Sequence, residues 1–162
     1  NLHHPLYNAT VSPQAPLPDG TIPVFSANVF EPFGFIDNLL IEDFSTPSVL
    51  WGIDGDWMVN LIPSNSPFYP TDHCGVLRSK SDLINPVYLR WILFRQGKEA
   101  GFSRHHRASI DRIQGLSITV PAKDIQDNLV SYIAPLYDQI NAAKDIISSI
   151  PQKKEAVLKK YL

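Results

Sequence analysis

The chain has 162 residues, of which 44% are hydrophobic and 19% are charged, with a formal net charge of −2. This length provides one ordinary core with a small appendage, and the composition excludes a disordered tract. No apolar run approaches the roughly 20 residues that span a bilayer, so we predict no membrane segment. Cys74 is the single cysteine, which excludes an internal disulfide and favours a reducing, cytoplasmic location. Because the chain begins at Asn1 rather than methionine, we expect a fragment of a longer protein.

The first half is predicted to be mostly sheet. Residues 1–20 read as an irregular, proline-rich lead-in that ends in a Pro-Asp-Gly turn. Asp54 and Gly55 predict a hairpin loop, because this pair tolerates the positive φ that tight turns require. Four short runs have the composition of strands and are bounded by turn residues; they cover residues 21–26, 48–52, 57–62 and 72–78.

Helical signals begin at Asn85, which can cap a helix that has Pro86 in its first position. We predict that this helix runs to about Gln96 and ends at Gly97. A polar loop over residues 98–108 follows. After it we predict a short helix capped by Ser109 and a last strand over residues 116–120.

The end of the chain has the pattern of a long amphipathic helix. From residue 124 to residue 150, apolar residues recur mostly at steps of three and four, and glycine is absent. Pro135 predicts a kink near residues 131–135, and Pro151 predicts a break before a final helix that packs back on the first. Such a stripe favours pairing of helices, within one chain or between chains, over an ordinary helix docked on its own domain.

The charges are unevenly distributed along the chain. Residues 1–77 contain eight acidic side chains and no Lys or Arg, whereas residues 78–112 contain eight basic and three acidic ones, a net charge of +5. This asymmetry fits a protein that presents a basic strip to phosphates while its other faces stay acidic. A solvated basic helix and loop without a ligand is the alternative.

Motifs for catalysis, metals or cofactors are not found in the sequence. The glycines never occur as Gly-x-Gly, and no phosphate-binding loop is present. Residues 65–68, Asn-Ser-Pro-Phe, resemble the tetrapeptide of adenine methyltransferases only faintly, so we interpret them as a loop. Asp72, His73 and Cys74 are consecutive, and their side chains would point to opposite faces of a strand. We therefore predict no catalytic residue, no metal site and no cofactor.

A contact loop is a better interpretation of the basic residues in the polar loop. Arginine offers a planar fork that matches a phosphate or a guanine edge, and histidine can bond to either. Phe102, just before them, could anchor the loop or stack on a base. The candidate residues are Arg104, His105, His106 and Arg107.

An ordered set of segments resembles the target-recognition domain of type I restriction-modification specificity subunits. Residues 20–28 (GTIPVFSAN), 34–36 (GFI) and 49–55 (VLWGIDG) follow that family's progression. Further on, the family's ending is similar to Tyr88-Leu89, residues 107–110, Ile113, Leu116, residues 118–121, Gln126 and Ile133. The resemblance implies an α+β fold, in which a mixed, β-rich recognition domain over residues 1–122 precedes a helical spacer or helical hairpin over residues 123–162.

The same resemblance implies a function without catalysis. Such a domain reads half of a split target in double-stranded DNA and positions a separate adenine methyltransferase subunit, and with it a restriction subunit. The implied DNA-binding residues are Ser26, Asn28, Lys98, Arg104, His105, His106 and Arg107. The implied helix interface consists of Leu129, Ile133, Leu136, Ile140 and Ile147.

One copy of the domain is present where a full specificity subunit has two. We therefore expect either a half-subunit that forms a homodimer through its C-terminal helices or the C-terminal recognition module of a methyltransferase fusion. A protein-interaction adaptor that uses its helix without binding DNA is the alternative function.

Overall fold

Six strands form two small sheets in the computed structural model, which describes residues 20–161 apart from the side chain of Asn141. The first sheet has the order β2-β1-β5 and the second the order β4-β3-β6. Only β1 and β5 pair in parallel; the other pairs are antiparallel. The strands are β1 (Ile22–Phe25), β2 (Gly34–Ile36), β3 (Ser48–Gly52), β4 (Val59–Ile62), β5 (Tyr69–Pro70) and β6 (Cys74–Leu77).

The four predicted strands are confirmed as β1, β3, β4 and β6. Sequence reasoning missed β2 and β5, which have three and two residues. Strands this short cannot show an alternating pattern, and they form because β1 offers an edge on each side. The predicted lead-in, residues 1–20, lies outside the described residues except for Gly20.

The core lies on both faces of β3, whose five residues are all buried. Because side chains alternate along a strand, Val49 and Trp51 face helix α1 (Pro86–Glu99), whereas Leu50 faces the first sheet. On the α1 side the core includes Tyr88, Leu89, Ile92 and Leu93, and on the other side it includes Phe25, Val29 and Phe68. A strand covered on both faces needs an unbroken apolar run, as Val-Leu-Trp provides.

The start of α1 is as predicted, but its end is not. The Asn85 side chain accepts hydrogen bonds from the backbone N–H groups of Val87 (2.9 Å) and Tyr88 (3.3 Å). The helix continues past Gly97 to Glu99. A Cβ atom at Gly97 would lie 2.2 Å from the Trp57 ring, so this glycine provides space for an aromatic side chain and does not end the helix.

The segment after α1 departs from its predicted structure at one point. Helix α2 (Ile110–Gln114) follows Ser109 as expected, although the serine side chain makes no capping bond. Residues 116–120 were predicted to be a strand, and this is wrong, because the segment pairs with no strand. Its backbone is held by a side chain instead: the Tyr88 hydroxyl donates to the carbonyl of Thr119 at 2.8 Å.

Helix α3 (Lys123–Tyr161) has 39 residues and a length of about 58 Å at 1.5 Å per residue. The helix continues through both Pro135 and Pro151 without a break. A proline removes one hydrogen bond and can bend a helix without ending it. The predicted break at Pro151 and the final helix packed back on the first are therefore wrong. The kink near residues 131–135 stays a prediction. No helix among residues 20–161 has the length and apolar character needed to cross a membrane.

Gln126 joins the start of α3 to the start of α1. Its side chain is fully buried, at 0% exposure. The amide oxygen accepts from the backbone N–H of Asn85 at 2.9 Å, and the amide nitrogen donates to the carbonyls of Leu83 (2.9 Å) and Pro121 (2.8 Å). One side chain thus satisfies three backbone groups that water cannot reach easily.

We expect Gln126→Ala to lower the free energy of unfolding by roughly 3 kcal/mol, because buried backbone groups would lose their partners. Thermal unfolding of the chain should then occur roughly 6–12 °C lower. Gln139→Ala is the matched control, since Gln139 lies on the same helix and is exposed. Equal, small shifts for the two variants would contradict the proposed role of Gln126.

Candidate nucleic-acid interface

Four of the seven predicted contact residues, at positions 104–107, lie in a tight loop after α1, which we call the basic loop (residues 102–107). Gly101 reverses the chain with φ of 76°. Ser103 and His106 then pair through two backbone hydrogen bonds of 3.0 Å, which leaves Arg104 and His105 exposed at the tip. The loop thus presents its basic side chains to solvent on a fixed backbone.

Phe102 anchors the basic loop and is not available for stacking on a base. Its side chain is only 6% exposed. Its ring centroid lies 5.2 Å from that of Trp57 and 5.3 Å from that of His106. Of the two roles considered from the sequence, the structure supports the anchor.

An acidic hairpin loop lies directly against the basic loop. This hairpin (residues 53–56) joins β3 to β4, and Gly55 has the positive φ of 82° that the Asp-Gly pair predicted. Arg107 donates from Nη2 to Oδ2 of Asp54 at 3.0 Å, and its Nε contacts Oδ1 of the same carboxylate. The two loops are also joined through their backbones, because the N–H of residue 108 donates to the carbonyl of residue 53 at 3.0 Å.

The tip of the basic loop is held much less tightly. Nη2 of Arg104 lies 4.0 Å from Oδ2 of Asp56, and both side chains are more than 70% exposed. Exposed ion pairs of this kind contribute little to stability, at most about 1 kcal/mol. Arg104 is therefore free to exchange its carboxylate partner for another anion.

The loop that contains Ser26 is linked to the same acidic hairpin. Thr71 Oγ1 donates to Ser26 Oγ at 3.2 Å and accepts from the N–H of His73 at 3.3 Å. Nδ1 of His73 in turn bonds to Oδ2 of Asp54. A series of contacts, one of them to a backbone N–H, thus runs from Ser26 to Arg107. We call this surface the loop ridge (residues 26–28, 53–56, 71–73 and 102–107).

The last two predicted contact residues have different positions. Asn28 is exposed, and its Oδ1 accepts from the backbone N–H groups of Phe30 (3.0 Å) and Glu31 (3.3 Å), so its side chain shapes its own turn. Lys98 is exposed on the last turn of α1. Asn28 therefore belongs to the loop ridge by its position alone, and no contact joins the Lys98 side chain to the ridge in the described structure.

Two cations of the positive block make contacts within the chain. Arg78 acts as an internal clamp that donates to Ser48 Oγ (2.7 Å) and to the carbonyl of Asp43 (2.5 Å). Arg90 donates to the carbonyl of Val59 and lies 5.1 Å from the centre of the Tyr137 ring. Folding therefore assigns Arg78 and Arg90 to contacts within the chain, and a basic strip formed by the other cations stays a prediction.

Other groups that the sequence raised belong to the core. Phe68, in the Asn-Ser-Pro-Phe segment, is 1% exposed and packs edge-on against the Phe44 ring at 5.5 Å. Cys74 is buried, and desolvation raises the pKa of its thiol, which keeps it protonated. Among residues 20–161 no group of three His, Cys, Asp or Glu side chains is arranged to hold a metal ion.

The predicted helix interface is only partly covered within the single chain. Leu129 and Ile133 line a cleft against Trp91 of α1. Beyond this contact the apolar stripe is exposed, with Leu136 at 56% and Ile147 at 65%. Exposure of such a stripe to water is unfavourable in free energy. Helix α3 thus offers an apolar surface along most of its length.

The sequence pattern of the family described as "Type I restriction modification DNA specificity domain" matches residues 8–152. The chain belongs to this family. A structural comparison with the crystal structure of a type I restriction-modification system S subunit from M. genitalium gives a TM-score of 0.62 at 17% sequence identity. The match covers 99% of this chain and 42% of that chain. A search of curated proteins finds no sequence match.

The specificity domain is a DNA-recognition component and not an enzyme, as the family indicates. The α+β architecture, with small sheets followed by one long helix, is confirmed by the fold it shares with the S subunit. Sequence reasoning missed Asp54 and Asp56 as neighbours of the arginines in the basic loop. No local signal marks this pairing, because 53 residues separate Asp54 from Arg107.

Proposed function

We propose that the specificity domain reads one half of a split target in duplex DNA through its loop ridge. The observation that carries the proposal is the convergence of two distant loops, at Ser26 and at residues 102–107, on the hairpin between β3 and β4. Side chains from several loops on a rigid sheet are what base reading requires, since phosphate contacts position a protein and base contacts specify the sequence.

The charges of the loop ridge are compatible with DNA despite the net charge of −2. The exposed pair of Arg104 with Asp56 is weak, so a phosphate can compete for that cation. We expect modest intrinsic affinity, because few cations are available, and we expect partner subunits to add to it.

Residues 1–122 are proposed as the recognition domain and residues 123–162 as a spacer that carries the helix interface. One recognition domain and one helix supply half of a two-part reader. A second copy, paired through the exposed stripe of α3, would supply the other half. The assembly would then position a separate adenine methyltransferase subunit, and with it a restriction subunit, on the DNA. If the chain is instead the C-terminal module of a fusion, the methyltransferase would be in the same polypeptide.

The test is sedimentation of the chain alone, and then with the cognate methyltransferase subunit and duplex DNA that carries randomised sites. We expect a dimer that joins the methyltransferase and retains DNA, with affinity that falls steeply as salt rises, because DNA binding releases counterions.

A complex that forms without retaining DNA at low salt would overturn the proposal. It would favour an adaptor that uses only the exposed helix. A monomer that binds neither component would also contradict the half-subunit proposal.

A further inference from the structure

Asp54 binds Arg107 by one particular edge of its guanidinium group. The contacts use Nε and Nη2. A guanidinium has five N–H groups in a plane, so the opposite edge, formed by Nη1 and the second N–H of Nη2, keeps a parallel pair of donors. The Arg107 side chain is 59% exposed, and this free edge is the one that matches two neighbouring acceptors.

The partner carboxylate is itself held in place. Asp54 is only 28% exposed, and its Oδ2 also bonds to Nδ1 of His73. Because a carboxylate only accepts, the imidazole donates in this pair. Arg107 is therefore oriented before any ligand binds, which lowers the entropy lost on binding.

The same pairing makes Arg107 a poor phosphate ligand. The negative charge of Asp54 cancels much of the attraction to phosphate and would repel a nearby phosphate oxygen. A neutral acceptor pair avoids this repulsion and still uses both free N–H groups. In the major groove, O6 and N7 of guanine form such a pair.

We infer that Arg107, oriented by Asp54, is a specificity-determining residue that reads a guanine through O6 and N7. The inference rests on the proposed DNA-reading function of the loop ridge. Arg104, at the exposed tip and 4.0 Å from its nearest carboxylate oxygen, keeps its charge available and serves as a phosphate contact.

The test is selection of bound sequences from randomised duplexes, with the complete assembly of chain and methyltransferase subunit. Arg107→Ala should relax the preference for guanine at one position by roughly tenfold to hundredfold, with other positions unchanged. Arg107→Lys keeps the charge without the planar fork, so it should lose the same preference. Asp54→Asn should weaken the preference while preserving or raising affinity for unrelated DNA, because a negative charge is removed.

Arg104→Ala is the matched control, and it should lower affinity for all sequences alike. A guanine preference retained by Arg107→Ala, in a wild-type assembly that binds DNA, would overturn this inference alone. A uniform loss of affinity without a change of preference would also overturn it and make Arg107 a phosphate contact. Absence of DNA binding by the wild-type assembly would overturn the proposed function together with the inference.

Discussion

Combined replacement Arg104→Ala with Arg107→Ala is expected to weaken binding of duplex DNA by about 100-fold, because one phosphate contact and one base contact are lost. The slope of log affinity against log salt should become shallower by about one, the share of a single phosphate contact. Fluorescence anisotropy over a salt series, with the chain assembled with the methyltransferase subunit, measures both quantities.

The matched control for this variant is Lys153→Ala with Lys154→Ala. It removes the same formal charge from exposed positions in the last third of α3, outside the loop ridge. A nonspecific effect of net charge would weaken binding equally in both variants. Unchanged binding in the Arg104 and Arg107 variant would remove the loop ridge from the DNA interface.

Introducing charges into the exposed stripe of α3 is expected to abolish self-association. In Ile140→Asp with Ile147→Asp, a paired helix would have to bury two carboxylates against apolar neighbours. We expect the dissociation constant of the dimer to rise by more than about 100-fold, as the cost of two buried charges implies. Sedimentation velocity over a range of concentrations measures the change.

Thermal unfolding distinguishes loss of pairing from loss of folding. Ile140 and Ile147 are exposed in the single chain, so the recognition domain should unfold at an unchanged temperature in the monomeric state. Ala142→Asp is the matched control, since it lies about 160° around the helix from Ile140. Dimers that persist in the double variant would place the interface elsewhere. A wild-type chain that stays monomeric at high concentration would contradict dimerisation through α3.

Much of the fold was predictable because its signals are local. The cap at Asn85 acts on N–H groups two and three residues away, and the turn at Gly55 depends on the φ of one residue. The periodicity of α3 repeats within each turn of the helix. Interactions between residues close in the sequence form whenever the segment adopts its local structure. They can therefore be predicted without knowing which other elements pack against the segment.

The candidate site was predicted in its components and not in its arrangement. The side-chain chemistry of Arg104 and Arg107 alone indicated that they bind an anion or the edge of a base. The distinct roles that we propose for them depend on Asp54 and Asp56, which reach them only after β3 and β4 form a hairpin beside the basic loop. Arg78 has the same charge as Arg107, but its side chain bonds to Ser48 and to the carbonyl of Asp43 within the domain.

The sequence by itself determined the elements that local energies specify: the four longer strands, the Asn85 cap, the hairpin turn and the amphipathic helix. Only the tertiary structure decided that Gly97 makes room for Trp57, that Gln126 joins α3 to α1, and that Asp54 orients Arg107. These contacts join residues 40 or more positions apart. Their partners are chosen by the packing of the whole domain, because the chain must close long loops before such contacts can contribute free energy.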